Sequence, residues 1–297
     1  MRPLAGCLRS VRQLEKTFAF QRRLWLDKQR IAPMLNCSTE QLTYGTTTFA
    51  MWHRLMVGSS SLRNRMRSKE HDAEDEDVKA RHLTTVSQPK VVIFGSSLGL
   101  LGFYTSSLFP HARIVGYEVM PSLVSVARRL KDSYFPEEHI KFHQKDMMLA
   151  DVHDADVVIL TSMCWDSECR RRVATKLAVE LPTSALVVDY YQETFSEFGL
   201  DTSNSHYSHS RGGGGNSAGA LKALQKQKEK MALSKATERQ LISSLSSVML
   251  RLEEKQPPKA CQFSLIQVIE PEKGMSGVSW DTCGGNQRLY VYQGVLA

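Results

Sequence analysis

No run of 18 apolar residues occurs anywhere in the 297-residue chain, so no membrane-spanning helix is expected. Cysteine is sparse. The six residues (Cys7, Cys37, Cys164, Cys169, Cys261 and Cys283) are scattered, and only Cys164 and Cys169 are near neighbours. With no CxxC pair and no Cys/His ligand spacing, neither a disulfide scaffold nor a structural zinc site is expected, and no metal ligand is assigned. That usage fits a reducing compartment, so an intracellular location is expected, in the nucleus or cytoplasm. A GxSxG elbow, an HExxH helix and a GxxxxGK[ST] phosphate loop are all missing, which excludes three common catalytic constellations. A secretory signal is not expected either, because no apolar stretch of about 7–15 residues follows the N-terminal charges.

Hydrophobic residues make up 42% of the chain, enough for a core. At roughly 100–200 residues per domain, the length suits one large domain or two small ones. The formal net charge of +7 is unevenly spread. Residues 1–30 hold eight basic residues (Arg2, Arg9, Arg12, Lys16, Arg22, Arg23, Lys28, Arg30) against two acidic ones (Glu15, Asp27), a net +6. An apolar stripe through Leu8, Val11, Leu14 and Phe18 has helical spacing. Three readings of this arm stand side by side: a solvated surface helix, an Arg-rich organelle-import segment, or a basic arm that meets an anionic partner such as nucleic acid.

Residues 62–82 are crowded with charge and read as an exposed helix or linker. Residues 196–220 include a Gly/Ser/Asn/His-rich stretch that buries too little apolar surface to offset its ordering entropy, so a disordered loop is expected. Residues 219–255 read as a long helix, amphipathic through Leu241, Leu245, Val248 and Leu252, which Pro257 and Pro258 stop. The expected division is a basic helical arm over 1–40 and a main domain over 41–297, with an insert at 196–258.

Between these segments, short apolar runs alternate with helical patterns. Strands are expected at 90–94, 112–118, 140–144, 156–160 and 185–191, and helices at 98–108, 122–130 and 167–179. Apolar strands separated by helices mark a parallel sheet covered on both faces. Two more strands, 262–270 and 288–296, follow the long helix. Their Gly-rich connection is too short for a helical crossover, so they should be antiparallel. The expected fold class is α/β: a Rossmann-like seven-strand sheet, five strands parallel plus a terminal antiparallel pair, with helices on both faces and a helical N-terminal region. This plan resembles that of the class I, S-adenosylmethionine-dependent methyltransferases.

Ligands of open α/β sheets bind at the carboxyl ends of the strands. At the first such end, Gly95-Ser96-Ser97-Leu98-Gly99, Gly95 lets the chain turn off the strand and Gly99 lets the next helix approach a ligand closely. Ser97 stands where a middle glycine is usual. The alternative is an ordinary strand-to-helix turn. Glu118 ends the second strand 23 residues after Gly95, near the roughly 20 expected for an acid that accepts both ribose hydroxyls. Otherwise it is a surface Glu. Asp146 follows the third strand, placed to accept from an adenine amino group while Met147 and Met148 pack on the ring. Otherwise it caps a turn. Together the three strand ends suggest a nucleoside with a carboxylate-bearing tail, and S-adenosylmethionine fits better than a dinucleotide.

Tyr44-Gly45-Thr46-Thr47-Thr48-Phe49 resembles the Tyr-Gly-Glu-Thr-Ser-Phe loop of the non-SET histone lysine methyltransferases, the disruptor-of-telomeric-silencing family. The turn from Gly95 to Gly99 resembles that family's Gly-Ser-Gly-x-Gly turn, and Gly116-Tyr117-Glu118 its Gly-Val-Glu. Residues 156–165, DVVILTSMCW, are similar to the stretch that borders its lysine channel. Val278-Ser279-Trp280 and Tyr290-Val291-Tyr292 resemble its closing hairpin. Thr46 replaces the loop Glu, Ile93 the acid two residues before the first Gly, and Ser97 the middle Gly. Thr161 and Ser162 replace two Asn. The resemblance spans residues 44–292, interrupted at 196–258. It implies that Tyr44, Gly45, Thr46 and Thr47 fold over the methionine part of the cofactor, with Ser96 and Thr161 also beside it. It also implies a protein lysine acceptor, of which a histone or nucleosome is one form.

Methyl transfer to an amine is an in-line displacement at a cationic sulfur, so positioning at about 3–3.5 Å supplies most of the acceleration. The amine must lose its proton first, and an apolar, aromatic wall that lowers its pKa helps. Trp165, Met163, Trp280, Tyr290 and Tyr292 are candidates for that wall. Trp165, Ser162 and Tyr292 are the residues expected at the reacting centre, Trp165 foremost because it follows the fourth strand's carboxyl end. The hydroxyls of Thr46, Thr47 and Ser162 can bond the cofactor's amino-acid part. Cys164 reads as a small residue at a strand end rather than a nucleophile. Two further readings remain: a catalytically silent scaffold of the same fold, which Thr46 and Ser97 favour, and a methyltransferase acting on a small molecule or nucleic acid.

Overall fold

The computed structural model describes residues 2–43, 45, 47–67, 88–195, 261–270 and 288–296. The chain divides into two units, 1–203 with 260–297, and 204–259; the second lies outside the described residues. So do the expected loop at 196–220, the long helix at 219–255, most of the charged stretch at 62–82, and Trp280.

Five apolar runs form parallel strands: β1 (Lys90–Phe94), β2 (Arg113–Glu118), β3 (Ile140–Gln144), β4 (Val157–Leu160) and β5 (Leu186–Asp189). Two more, β6 (Cys261–Ile269) and β7 (Leu289–Leu296), pair antiparallel, and β7 also runs antiparallel to β5. The order across the sheet is β3-β2-β1-β4-β5-β7-β6. This is the Rossmann-like seven-strand plan expected from the sequence.

Successive strand residues point to opposite faces, and both faces are buried. Val91, Ile93, Ile114, Val157, Ile159 and Val188 enter one core; Val92, Phe94, Val115, Val158, Leu160 and Val187 enter the other. That is why these strands read as continuous apolar runs rather than as an alternation. The first core takes residues from α1 (Arg2–Glu15), α2 (Phe18–Met34), α3 (Phe49–Gly58), α4 (Ser60–Met66), α5 (Leu100–Leu108) and α6 (Pro121–Tyr134). The second takes Val173, Ala174 and Leu177 of α7 (Ser167–Glu180).

The N-terminal residues form two helices that share the first core. Leu4, Cys7 and Val11 of α1 and Phe20, Leu24 and Ile31 of α2 are buried there. Phe18 departs from the expected stripe and is exposed. Thr17 explains this: its side chain caps α2 by accepting from the Phe20 N–H at 3.3 Å, so the helical phase restarts there. Asp27 then fastens α2 to the start of α6, accepting from the Ser122 N–H at 2.8 Å and from its hydroxyl.

Strand order reverses between β1 and β4, whose outgoing chains lead to different flanks of the sheet. A crevice at their carboxyl ends follows from that topology.

Candidate functional site

A cavity of about 500 Å³ opens at that place. Its floor is the turn after β1. Gly95, Ser97 and Gly99 all have positive φ (73°, 52° and 82°). The Gly95 and Ser96 N–H groups both donate to the Tyr117 carbonyl at 2.9 Å, which ties the turn to β2. A Cβ on Gly95 would lie 2.3 Å from the Thr161 hydroxyl, which bonds the Phe94 carbonyl at 3.0 Å. Gly95, Ser96, Ser97 and Thr161 line the cavity. Gly99 does not. It stands against Phe142, whose ring would be 2.5 Å from an added Cβ, so its work is to let α5 close on β3. Gly116 serves similarly. A Cβ there would come within 2.7 Å of both Ser96 and Phe142.

Ser97 is not glycine, yet it holds a left-handed conformation that costs an L residue roughly 1–2 kcal/mol. Its hydroxyl, like that of Ser96, is buried without a hydrogen-bond partner. Glycine fits this conformation but costs roughly 0.5–1 kcal/mol more in chain entropy. Ser97→Gly is therefore expected to raise the melting midpoint by about 2–4 °C, read by thermal denaturation. A lower midpoint would mean that the hydroxyl holds the turn.

Glu118, at the end of β2, is only 6% exposed. Oε2 accepts from the Ser97 N–H at 3.0 Å, and Oε1 from those of Val119 at 2.8 Å and Met120 at 3.0 Å. Burial raises its pKa, against the pull of those three amides. The carboxylate thus fixes the β1 turn and still lines the cavity, with lone-pair capacity beyond the three bonds it accepts. Asp146, past β3, also lines the cavity. Its Oδ1 accepts from the Met148 N–H at 2.9 Å and so caps the 3-10 turn Met147–Leu149, which presents Met147 and Met148 to the same space. The capping and ligand-facing readings of Asp146 are therefore both compatible with its position.

Beyond β4, Met163, Cys164 and Trp165 form one wall. Burial raises the Cys164 thiol and pushes that of Cys169 up to about 12, so neither is an activated nucleophile. Two residues expected at the reacting centre, Ser162 and Tyr292, do not line this cavity. Ser162 is buried beneath the wall, its hydroxyl donating to the Asp189 carboxylate. Tyr292 lies in the other core, its ring edge-on to Phe195 at 4.9 Å and its hydroxyl donating to the Gln192 carbonyl. β7 carries alternate residues to that face, and Tyr290 goes with it. Of the four described candidates for an apolar wall, Trp165 and Met163 line the cavity; Trp280 lies outside the described residues.

The roof comes from the chain between α2 and α3. Gly45 and Thr47 line the cavity, and Thr47 shares a 2.5 Å hydrogen bond with the Tyr190 hydroxyl. Tyr44 and Thr46 lie outside the described residues. Sequence reasoning missed Leu35, Asn36, Cys37, Gln41 and Leu42, which line the cavity too. Gln41 closes the roof onto the wall by donating to Asp166 at 2.6 Å. The signal was faint: Pro33 followed by Asn36, a residue type that tolerates the left-handed conformation it adopts here, φ 51°.

Asp189, under the wall, is buried and accepts from Ser162, from the Thr194 hydroxyl at 2.5 Å, and from the Tyr190 and Tyr191 N–H groups at 2.7 and 3.3 Å. Burial nonetheless pushes its carboxyl from 3.8 up to about 6. A raised carboxyl pKa gives stability that is complete below about pH 4 and is lost as pH rises through about 6. Asp189→Asn keeps the shape without the charge. Its stability relative to the parent is expected to grow by roughly 2–3 kcal/mol between pH 4 and pH 8, measured by denaturant titration at both. A gap independent of pH would contradict this.

Among the described residues, no cluster of three or more His, Cys, Asp and Glu is placed to hold a metal ion. No described helix is long and apolar enough to cross a membrane. No family model and no curated protein matches the chain. Among solved structures it is similar to an RNA methyltransferase from Salinibacter ruber in complex with S-adenosyl-L-homocysteine, at 26% identity and a TM-score of 0.31, over 34% of this chain and 63% of that one. It is also similar to the mitomycin 7-O-methyltransferase MmcR, at 13% identity and a TM-score of 0.38, over 70% of this chain and 49% of that one. A third is human N-acetylserotonin methyltransferase in complex with SAM, at 20% identity and a TM-score of 0.29, over 34% and 29%. Each match spans less than two thirds of the solved chain, and the fold class rests on this chain's own strand order.

Proposed function

We propose that this chain is an S-adenosylmethionine-dependent methyltransferase. One observation carries the reading: Glu118 and Asp146, from the ends of two neighbouring strands, face one cavity beside the glycine turn after β1. Glu118 keeps acceptor capacity for ribose hydroxyls, and Asp146 keeps an oxygen for an adenine amine. Met147 and Met148 offer the apolar surface a purine ring needs. The orphaned Ser97 hydroxyl supplies one more polar group without a partner in the protein. These residues fit an adenosine with a polar tail.

When bound, that cofactor would supply an activated methyl group. The protein's share is positioning and exclusion of water. Glu118 holds the β1 turn rigid through three amides, which fixes where the sugar can sit. The roof of Leu35, Asn36, Cys37 and Gln41 shields the cavity from bulk solvent. Trp165 and Met163 give an entering amine an apolar surface that favours its neutral, nucleophilic form. For the acceptor we favour a protein lysine, on the strength of that wall. Tyr290 and Tyr292 lie in the second core, so among the described candidates Trp165 and Met163 are the ones offered to the acceptor.

Calorimetric titration with S-adenosylmethionine tests the cofactor. Micromolar affinity is expected, and no binding at millimolar ligand would reject the enzymatic reading in favour of a silent scaffold, the role that the strained Ser97 would allow. Radiolabelled methyl transfer to nucleosomes, free RNA and small amines tests the acceptor. Label in nucleic acid alone would overturn the lysine assignment and leave the cofactor assignment standing.

A further inference from the structure

The outward face of α2 carries a pattern that neither the core nor the cavity uses. Every fourth residue alternates apolar and cationic: Phe18, Arg22, Leu26, Arg30, Met34. All five are exposed, and Trp25 stands beside this ridge. Phe18 is 81% exposed, Met34 74%, Trp25 59% and Leu26 48%. At 1.5 Å per residue the ridge is about 24 Å long. Asp27, the helix's one acid, bonds Ser122 of α6. The exposed cations Arg22, Arg23 and Arg30 therefore have no carboxylate of α2 among them, and Arg2, Arg9 and Arg12 of α1 are exposed as well.

We propose that this face of α2 docks on the surface of an anionic phospholipid bilayer. The charge is complementary, and the side chains are of the two kinds such an interface takes. At about 3.6 residues per turn, Phe18, Trp25 and Leu26 fall within about 100° of one another around the helix, with Arg22 between them and Arg30 on the flank; the three apolar side chains can enter the boundary of the acyl region while the arginines meet phosphate groups. The shape favours a bilayer over a nucleic-acid strand. A helix ridge is convex and suits a plane, whereas single strands bind along grooves and stack on aromatic planes, which Leu26 and Met34 do not offer. The attachment proposed is that of an amphipathic helix lying in the interface plane. The ridge ends at Met34, next to Leu35, Asn36 and Cys37 of the cavity roof. The proposal is independent of what the cavity binds.

Co-sedimentation of the full chain with vesicles tests it. Phosphatidylcholine vesicles containing about one-third phosphatidylserine are expected to bind at least about tenfold more tightly than pure phosphatidylcholine vesicles at physiological salt. Trp25→Ser with Leu26→Ser, and separately Arg22→Glu with Arg30→Glu, are each expected to weaken binding by about tenfold or more. Both pairs are exposed, so the melting midpoint and the titration with S-adenosylmethionine should not move. The proposal is overturned if neither vesicle binds, or if either pair of substitutions leaves binding unchanged. It is also overturned if a single-stranded oligonucleotide, followed by fluorescence anisotropy, binds through these residues while vesicles do not. If the unsubstituted chain binds the cofactor but neither vesicle, the docking surface alone falls; if it binds the vesicles but not the cofactor, the enzyme reading alone falls.

Discussion

Glu118→Gln is expected to lower the affinity for S-adenosylmethionine by about 100-fold and to destabilise the fold by about 1–3 kcal/mol. The wild-type carboxylate offers two acceptor oxygens, and both are in use: Oε2 toward Ser97, Oε1 toward Val119 and Met120. Glutamine offers one acceptor and one NH₂ group. Whichever way the amide lies, at least one backbone N–H faces a donor and is left unsatisfied in a buried site. The affinity loss has a separate origin. A ribose hydroxyl that donates to a carboxylate makes a charge-assisted bond, and the neutral amide forfeits that strength. The two effects separate experimentally. Calorimetry reads the first number and denaturant titration the second. If the variant melts early but binds the cofactor as the parent does, then Glu118 only holds the turn and the sugar lies elsewhere.

Much of this arrangement was legible from residue types. The five parallel strands were found because burial on both faces makes each a continuous apolar run, as in Lys90–Phe94 and Val157–Leu160. The antiparallel end pair followed from a connection too short to cross over. Gly95, Glu118 and Asp146 were legible because a turn at φ 73° needs glycine and because strand ends in this topology must face one crevice. What was not legible depends on which face a residue takes. Tyr292 and Ser162 sit near the right strand ends in sequence but point away from the cavity: β7's alternation turns Tyr292 into the second core, and Asp189 draws Ser162 beneath the wall. The roof residues Leu35 to Leu42 carry no motif of their own. They acquire their place only because Asp27 and the α2 core residues fix where that helix ends.

The glycine at 95 makes the sharpest test of how the floor is built. Gly95→Ala is expected to cost about 3–4 kcal/mol, from roughly 1–2 for an L residue at φ 73° and the rest from overpacking. The overpacking has one named source. The new Cβ would lie 2.3 Å from the Thr161 hydroxyl, while the Thr161 Cβ is 3.7 Å away, an ordinary contact. Thr161→Ala removes that hydroxyl and, alone, costs about 1 kcal/mol for its bond to the Phe94 carbonyl. In the double variant the clash is gone and the backbone strain remains. Its cost is therefore expected to fall short of the sum of the two single costs by about 1 kcal/mol or more, a coupling that denaturant titration of the four proteins measures directly. Additive costs would mean that the strain lies wholly in the backbone and that Thr161 yields freely. In that case the wall at β4 is softer than its hydrogen bonds to Phe94 and Gly95 imply, and the same softness would appear as a cofactor affinity unaffected by Thr161→Ala.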